Sequence, residues 1–364
     1  MVETPEVLIV GGGPAGLAAA RETVNAGCQT ILIDDAMKLG GQLVKQTHKF
    51  FGSEMEYAGV RGIWITEKLL ESIIDNPNFT YHTRTTASGY FEDGVVTAID
   101  GNEKMLKFKP KKIIIGTGAN EKTIPFPNND LPGVYGAGAV QTLMNVYGVM
   151  PGKKGLMVGA GNIGLIVAYQ LRQAGVQVEA VIEGMDHIGG YWVHASKIAR
   201  LGIPILTRTT ILEAIGEKSV KAAIITSIDS DWKTIPGSEK TVECDFICLA
   251  VGLSPLVELF RLAECKMMFV PELGGDVPIR NEEMETTTRG IYVVGDSGGI
   301  EEASSAMIEG AIAGLSAANS LKKDIPDFEN RKSALIHELA SLRSGPIGEH
   351  IRTGLGICTR REKQ

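Results

Sequence analysis

One pattern occurs twice, and it constrains the fold more than any other feature of the chain. Val7-Leu8-Ile9-Val10 runs into Gly11-Gly12-Gly13-Pro14-Ala15-Gly16, and Leu156-Met157-Val158 runs into Gly159-Ala160-Gly161-Asn162-Ile163-Gly164. Each copy is a short apolar strand, then G-x-G-x-x-G, then a helix-forming run. Each is followed by a second apolar strand ending in an acid, Gln29 to Asp34 in the first copy and Gln177 to Glu183 in the second. A strand entering a helix through such a turn aims backbone N–H groups and the positive helix end at a diphosphate. The first glycine permits the tight turn, the second lets phosphate approach the backbone, and the third lets the helix sit close to the strand. The terminal acid can accept hydrogen bonds from adenosine ribose hydroxyls.

The pattern therefore predicts two dinucleotide sites. The first comprises Gly11, Gly13, Pro14, Ala15, Gly16, Asp34 and the adjacent Asp35. The second comprises Gly159, Gly161, Asn162, Ile163, Gly164 and Glu183. A carboxylate at 183 favours a free 2′-hydroxyl, hence NAD over NADP, and His187 is the nearest potential cation. The alternatives at the second site are a scaffold without a ligand or a site for another adenine nucleotide.

Between the copies, Asn78 to Lys109 alternates polar and apolar residues, with turn signals at Ser88-Gly89, Asp93-Gly94 and Asp100-Gly101, which predicts an antiparallel meander. A similar stretch, Ile205 to Asp245, follows the second copy. Apolar strands at Lys112–Gly116 and Phe246–Val251 close the two halves, and Ile291–Gly295 leads into a helical run from about Glu302 to Leu321. The fold expected is α/β: two nested Rossmann-like, three-layer ββα domains, with a short C-terminal helical tail. In the tail, Leu335, Leu339 and Leu342 give Phe328 to Leu342 an amphipathic helical spacing. Ser344-Gly345-Pro346 ends it. The segment beyond, with Arg352, Arg360, Arg361 and Lys363, reads as a solvated or loosely docked tail, or else as a partner-docking segment.

Several motifs resemble those of two-dinucleotide-domain flavoprotein reductases of the thioredoxin reductase type: Pro14-Ala15-Gly16, Gly40-Gly41-Gln42-Leu43, Gly116-Thr117-Gly118-Ala119 and Val294-Gly295-Asp296. The resemblance covers roughly residues 5 to 320. It implies FAD at the first site, with Gly41 and Gln42 at the flavin half, Thr117, Gly118 and Ala119 passing beneath it, and Gly295 and Asp296 at the ribityl and pyrophosphate region. It also implies a discontinuous FAD-binding domain, 1–122 and 287–325, around an NAD-type nucleotide-binding domain, 123–286, followed by a tail, 326–364. Lys45, His48 and Lys49 are candidates for catalytic groups near the flavin, where a cation would stabilise negative charge on the ring; the alternative is a solvated basic loop before Phe50-Phe51.

One departure matters. The reductases carry Cys-x-x-Cys just before the second motif, where this chain reads Gly133 to Thr142 without a cysteine. Disulfide exchange needs a nucleophilic thiolate, so disulfide reduction is not expected. The segment Leu131 to Leu143 resembles instead the FAD/NAD-binding subunit of heteromeric amine, opine, sarcosine and proline dehydrogenases and of hydrogen cyanide synthase. That resemblance implies an electron-transferring subunit, moving hydride or electrons through flavin. Its partners would be an FAD-containing subunit of the amine-oxidase type and a small iron–sulfur subunit, in a hetero-oligomer with FMN at a subunit interface. The rivals are a stand-alone NADH-dependent flavin reductase or oxidase and a non-catalytic nucleotide-binding scaffold.

Composition excludes other classes. A net charge of −7 is wrong for a nucleic-acid binder. Glycine is abundant, 44 of 364 residues, without a Gly-X-Y period, which fits tight turns and close backbone approaches. The five cysteines, 28, 244, 248, 265 and 358, are too few and too scattered for a disulfide framework. The longest uncharged stretch, Leu131 to Gly152, is broken by prolines and glycines and is not a membrane span. The first residues lack a basic leader, so a cytoplasmic location is expected. His187 and His194 have no third ligand at metal spacing, so no metal is expected. Glu301, Glu302 and Glu309 are expected on an exposed helix face.

Overall fold

The computed structural model describes residues 2–50, 54–346 and 348–360, without the side chain of Met55. The chain divides into two units, one of residues 1–120 and 254–364, the other of residues 121–253.

In the first unit a five-stranded parallel sheet runs in the order Ile291–Val293, Lys112–Ile115, Val7–Val10, Thr30–Ile33, Phe79–His82. Its strands are short runs of β-branched and aliphatic residues, apolar on both faces, as a sheet covered on both sides requires. Alternation sends Val7 and Ile9 to one face and Leu8 and Val10 to the other. The first face packs on helices Pro14–Asn25 and Ala303–Ser320. The second packs on an antiparallel layer, Thr86–Tyr90, Val96–Ile99 and Met105–Phe108, through Val96, Ala98 and Phe108. Fully burying a side chain such as Leu8 or Ile9 contributes about 1.5–3 kcal/mol.

The second unit repeats this plan. Its parallel sheet runs Val134–Gly136, Phe246–Leu249, Lys154–Val158, Gln177–Ile182, Ile205–Leu206. Helices Asn162–Gln173 and Trp192–Arg200 cover one face, and the antiparallel strands Thr209–Gly216, Val220–Ser227 and Lys240–Glu243 cover the other. The three-layer α/β architecture expected from the paired motifs is thus present in both units.

Four details differ from the sequence reading. Phe79–His82 pairs parallel with Thr30–Ile33 and is the sheet's edge strand rather than part of the meander. Ser88-Gly89 is a bulge inside a strand, not a turn: a Cβ at Gly89 would come 3.1 Å from Thr97 Oγ1. Residues 254–286 group with the first unit, whereas the sequence places the return at 287. The reason is apolar: Val257, Phe260 and Ala263 join Leu8, Val10 and Phe108 in one core. Finally, the tail is docked. Helix Phe328–Leu342 buries Leu339, and a second helix, Glu349–Cys358, buries Ile351 and Cys358 against Val270, Leu273 and Val277. Arg360 donates to the Thr286 carbonyl at 2.9 Å, and Arg352 donates to that of Gly345 at 2.9 Å. Arg361 and Lys363 lie outside the described residues, as does Phe51.

Candidate functional site

At the first turn the chain has no room for side chains. Gly11 adopts φ +104°, and a Cβ there would lie 2.2 Å from the Gly116 carbonyl oxygen. A Cβ at Gly16 would lie 1.8 Å from the Gly11 carbonyl oxygen, which is how close the helix comes to the strand end. Gly13 differs: its φ of −74° suits any residue, and a Cβ would meet only the Gly41 Cα, at 3.9 Å. The helix that starts at Pro14 has no side-chain cap and no acid in its first turn. An open face at Gly13 before an uncapped helix end is a cradle for an anion, so these residues fit a diphosphate.

Asp34 holds that cradle from beneath. The Gly12 N–H donates to its Oδ2 at 2.5 Å and the Ala36 N–H to its Oδ1 at 2.8 Å. Burial pushes its carboxyl above the usual range, against those two hydrogen bonds. Asp35 is exposed. Next to Asp34, whose carbonyl accepts from the Thr85 N–H at 2.8 Å, opens a polar cavity of about 470 Å³ lined by His82, Arg84, Thr85, Asp100 and Asn102.

Three further segments gather at this turn. The Gly40 N–H donates to the Gly12 carbonyl at 2.7 Å, and a Cβ at Gly41 would meet Gly13 Cα at 2.8 Å. Gln42 and Lys45 follow on a short 3₁₀ turn, Gly41–Lys45; His48 stacks on Phe50 with 5.6 Å between ring centres, and Lys49 is exposed. Thr117 Oγ1 donates to the Leu256 carbonyl at 2.9 Å and Gly118 accepts from the Leu256 N–H at 3.0 Å, with Ala119 starting the next strand. Gly295, at φ +65°, sits against Ala15: a Cβ there would be 3.2 Å from that of Ala15. Burial pushes the Asp296 carboxyl up to about 7, and the negative Glu309 and Glu301 add to the shift.

The second turn reproduces the first. Gly159 has φ +107° and its Cβ would lie 2.2 Å from the Ala250 carbonyl oxygen; that of Gly164 would lie 2.1 Å from the Gly159 carbonyl oxygen; Gly161 faces open space. Helix Asn162–Gln173 also starts uncapped. Glu183 accepts from the Ala160 N–H at 2.8 Å and the Met185 N–H at 3.0 Å, the same clamp that Asp34 makes. Asn162 Oδ1 accepts from the Tyr191 N–H at 2.8 Å, and Ile163 is 39% exposed.

The family of pyridine nucleotide-disulphide oxidoreductases matches residues 5–310. The chain belongs to this family. Members bind FAD and a nicotinamide dinucleotide, and this chain is accordingly an FAD-dependent oxidoreductase. Among relatives of the family, the A-subunit of opine oxidase from Agrobacterium tumefaciens (strain Ach5) is 26% identical over 87% of this chain and 66% of its own length. The alpha-subunit of sarcosine oxidase from Corynebacterium sp. (strain P-1) is 26% identical over 86% of this chain and 32% of its own. The chain thus spans less than two thirds of either. The solved thioredoxin reductase of T. acidophilum has the same fold, with a TM-score of 0.71 at 20% identity over 88% of this chain and 99% of that one.

Other members of the family exchange disulfides, but all five cysteines of this oxidoreductase are free and buried. Burial pushes the thiols of Cys28 and Cys244 up to about 11 and about 12, and raises those of Cys248 and Cys358. Among the described residues, no three His, Cys, Asp or Glu side chains converge as a metal ion would need, and no helix is long and apolar enough to cross a membrane.

The structure also shows what the sequence reading missed. Glu309 is buried, not exposed: its Oε2 accepts from the Gly295 N–H at 2.9 Å, and its Oε1 from Arg280 at 2.6 Å and Arg343 at 2.5 Å. Glu301 is paired with Arg343 rather than solvated. A lone charge in an otherwise apolar helical run was the available signal for Glu309; its partners, far off in sequence, gave none. Beside Glu183, Asp186 is held by His187 at 2.7 Å and Arg208 at 3.0 Å, so both of these side chains are engaged.

Proposed function

We propose that this oxidoreductase is the electron-transferring flavoprotein subunit of a heteromeric dehydrogenase or oxidase of amines or imino acids. The observation that carries the reading is that every thiol is buried, with no cysteine between Gly133 and Thr142. This takes away the nucleophile that disulfide reduction uses and leaves flavin chemistry without a thiol relay. The likeness to subunits of opine and sarcosine oxidases supports the donor class and a heteromeric assembly. The partners would be an FAD-containing subunit of the amine-oxidase type and a small iron–sulfur subunit, with FMN at their interface. Unpaired cysteines fit a reducing compartment, the cytoplasm.

In this reading Gly11, Gly13, Pro14, Ala15 and Gly16 hold the FAD diphosphate, and Asp34, with Asp35 alongside, faces the adenosine ribose. Gly41, Gln42, Thr117, Gly118, Ala119, Gly295 and Asp296 line the flavin half. When bound, the flavin accepts and releases electron pairs at N5; the chain supplies placement and electrostatics. Lys45, His48 and Lys49 would add positive charge on that side. Gly159, Gly161, Asn162, Ile163, Gly164 and Glu183 hold a nicotinamide or other adenine dinucleotide, NAD rather than NADP. The uncapped helix end at Gly161 favours a second reading, a stand-alone NADH-dependent flavin reductase.

One experiment separates the two. The chain is purified alone and after co-expression with an FAD-containing subunit of the amine-oxidase type, then mixed anaerobically with amine substrates or NADH while the flavin absorbance is followed. Bleaching by an amine only in the co-purified complex supports the proposal. Rapid bleaching by NADH in the isolated chain, with no partner recovered, supports the reductase.

A further inference from the structure

We infer that Arg343, carried at the end of helix Phe328–Leu342, is a positioning residue for the flavin cofactor: through Glu301 and Glu309 it fixes the turn Gly295–Asp296 against the start of helix Pro14–Asn25. The inference rests on the reading that FAD lies across that turn.

The turn is tied at two points. Glu309 accepts from the Gly295 N–H at 2.9 Å, and the Glu301 N–H donates to Asp296 Oδ1 at 3.3 Å. Both glutamates reach Arg343. Its Nε donates to Glu301 Oε1 at 3.0 Å and Oε2 at 2.9 Å, and its Nη2 donates to Glu301 Oε2 and, at 2.5 Å, to Glu309 Oε1. A planar guanidinium can bridge two carboxylates in this way where a lysine ammonium cannot. The place of the turn is otherwise set by close packing. A Cβ at Gly295 would come within 3.2 Å of that of Ala15, and one at Gly310 within 2.0 Å of the Ala15 carbonyl oxygen. Gly295, the helix start and helix Ala303–Ser320 therefore meet at one point, and Glu309 is the polar bond that registers them.

Charge gives Arg343 a second effect. Among the described residues Glu309 pairs with Arg280 and Arg343, and Glu301 with Arg343; the Glu309 side chain is 4% exposed, that of Arg280 3%. Without Arg343, Arg280 would remain beside Glu309, and Glu301 would lose the cation it is paired with. A buried carboxylate without a partner is strongly destabilising, and a surplus of negative charge here would repel both a diphosphate and an electron-rich flavin. A residue that merely staples the tail would have no such effect on the flavin.

The test uses the full chain with FAD. Arg343→Met is expected to weaken FAD binding by about tenfold and to move the bound flavin's reduction potential more negative. Arg343→Lys keeps the charge and loses the fork, so it should bind FAD less tightly with a potential near that of the wild type. Glu301→Gln, which removes a negative charge, should move the potential the opposite way. Leu339→Ala, which loosens the same helix without touching the ion pairs, should lower the melting temperature and leave the potential in place. Potentials that do not move in Arg343→Met, or that move with the same sign in Glu301→Gln, would overturn the inference; if Arg343→Met does not fold, Glu301→Gln alone decides. A wild-type chain that binds no FAD would instead overturn the cofactor reading on which this rests.

Discussion

The helix after the first glycine turn is walled in along its length; the helix after the second is more open. Helix Pro14–Asn25 buries nine of its twelve residues and is covered along its length by the eighteen-residue helix Ala303–Ser320, whose Gly310 and Gly314 allow backbone contact. Helix Asn162–Gln173 buries six of twelve, and the element that follows the corresponding outer strand is the five-residue helix Ala137–Gln141. The turns themselves have nearly the same backbone, with φ of +104° and +107° at the first glycine and −74° and −73° at the second. What differs is the wall. A ligand enclosed on several sides leaves slowly and behaves as a prosthetic group, whereas one on an open helix end exchanges. The same motif thus suits a resident flavin in one unit and a visiting dinucleotide in the other, and the variants below test whether that division holds.

The largest effect is expected where a methyl group meets backbone. Gly16→Ala and Gly164→Ala would each place a Cβ about 2 Å from a carbonyl oxygen, an overpacking that costs about 3 kcal/mol or more because backbone must shift. Gly16→Ala should be recovered without flavin and with a much lower melting temperature. Gly164→Ala should keep its flavin absorbance. Equal loss of flavin in both would break the comparison.

Gly13→Ala and Gly161→Ala should separate binding from folding. Both positions have ordinary φ and room for a Cβ, so melting temperatures of the ligand-free proteins should stay close to that of the wild type. The added methyl then occupies only the face left for phosphate. FAD affinity of Gly13→Ala should fall by roughly 100-fold, about 2.7 kcal/mol, read by titrating apoprotein with FAD. Gly161→Ala should leave FAD content alone and raise the NADH concentration needed for half-maximal flavin reduction by about tenfold. A flavin-free Gly161→Ala would show that the second turn serves the flavin too.

The clamps rank next. Asp34 is buried and accepts two backbone N–H bonds, and bonds to a charged acceptor contribute about 1.5–3 kcal/mol. Glu183 makes the same pair of bonds in a more exposed place. Asp34→Asn should therefore lower the melting temperature more than Glu183→Gln. The latter should also narrow the preference for NADH over NADPH, measured as the ratio of flavin reduction rates.

These pairings show which features the sequence displayed and which it hid. Strands, glycine turns and terminal acids are legible because spacing along the chain determines them, and the repeat extends to Gly40-Gly41 and Gly189-Gly190, which stand in matching places, each packed on its own turn. Glu309 could have been placed inside, since Ala303–Ser320 is apolar on all sides and carries no other charge. Its partners Arg280 and Arg343 were not legible, being brought to it only by tertiary packing. Helix Glu349–Cys358 was hidden by Gly354 and Gly356, which weaken the helical signal; Gly354 is there because a Cβ would meet Leu273 at 2.8 Å. The return at Ser254 was obscured for a similar reason, because Phe260 shows its value only beside Leu8 and Phe108.

The smallest effect, and the one confined to the walled turn, is a pH dependence. Burial raises the Asp296 carboxyl from 3.8 to about 7. Between those values the folded chain keeps a proton that the unfolded chain has lost, so stability falls as pH rises across that window and levels off above it. Burial pushes Glu309 up, but contact with Arg280 and Arg343 outweighs this and holds it well below its ordinary 4.5. Its contribution has the opposite sign and is complete by about pH 5. A melting series on the FAD-free chain from pH 5 to 8 should therefore decline by a few degrees, and Asp296→Asn should make it shallower, the raised carboxyls of Asp34 and Glu301 keeping the rest of the decline. In the second unit the strand Val134–Gly136 leads into Ala137-Gly138, and the acid at that turn, Glu121, which accepts from the Gly138 N–H at 2.6 Å, is exposed rather than buried. A decline as steep in Asp296→Asn as in the wild type would place the titrating group elsewhere and remove this distinction between the two turns.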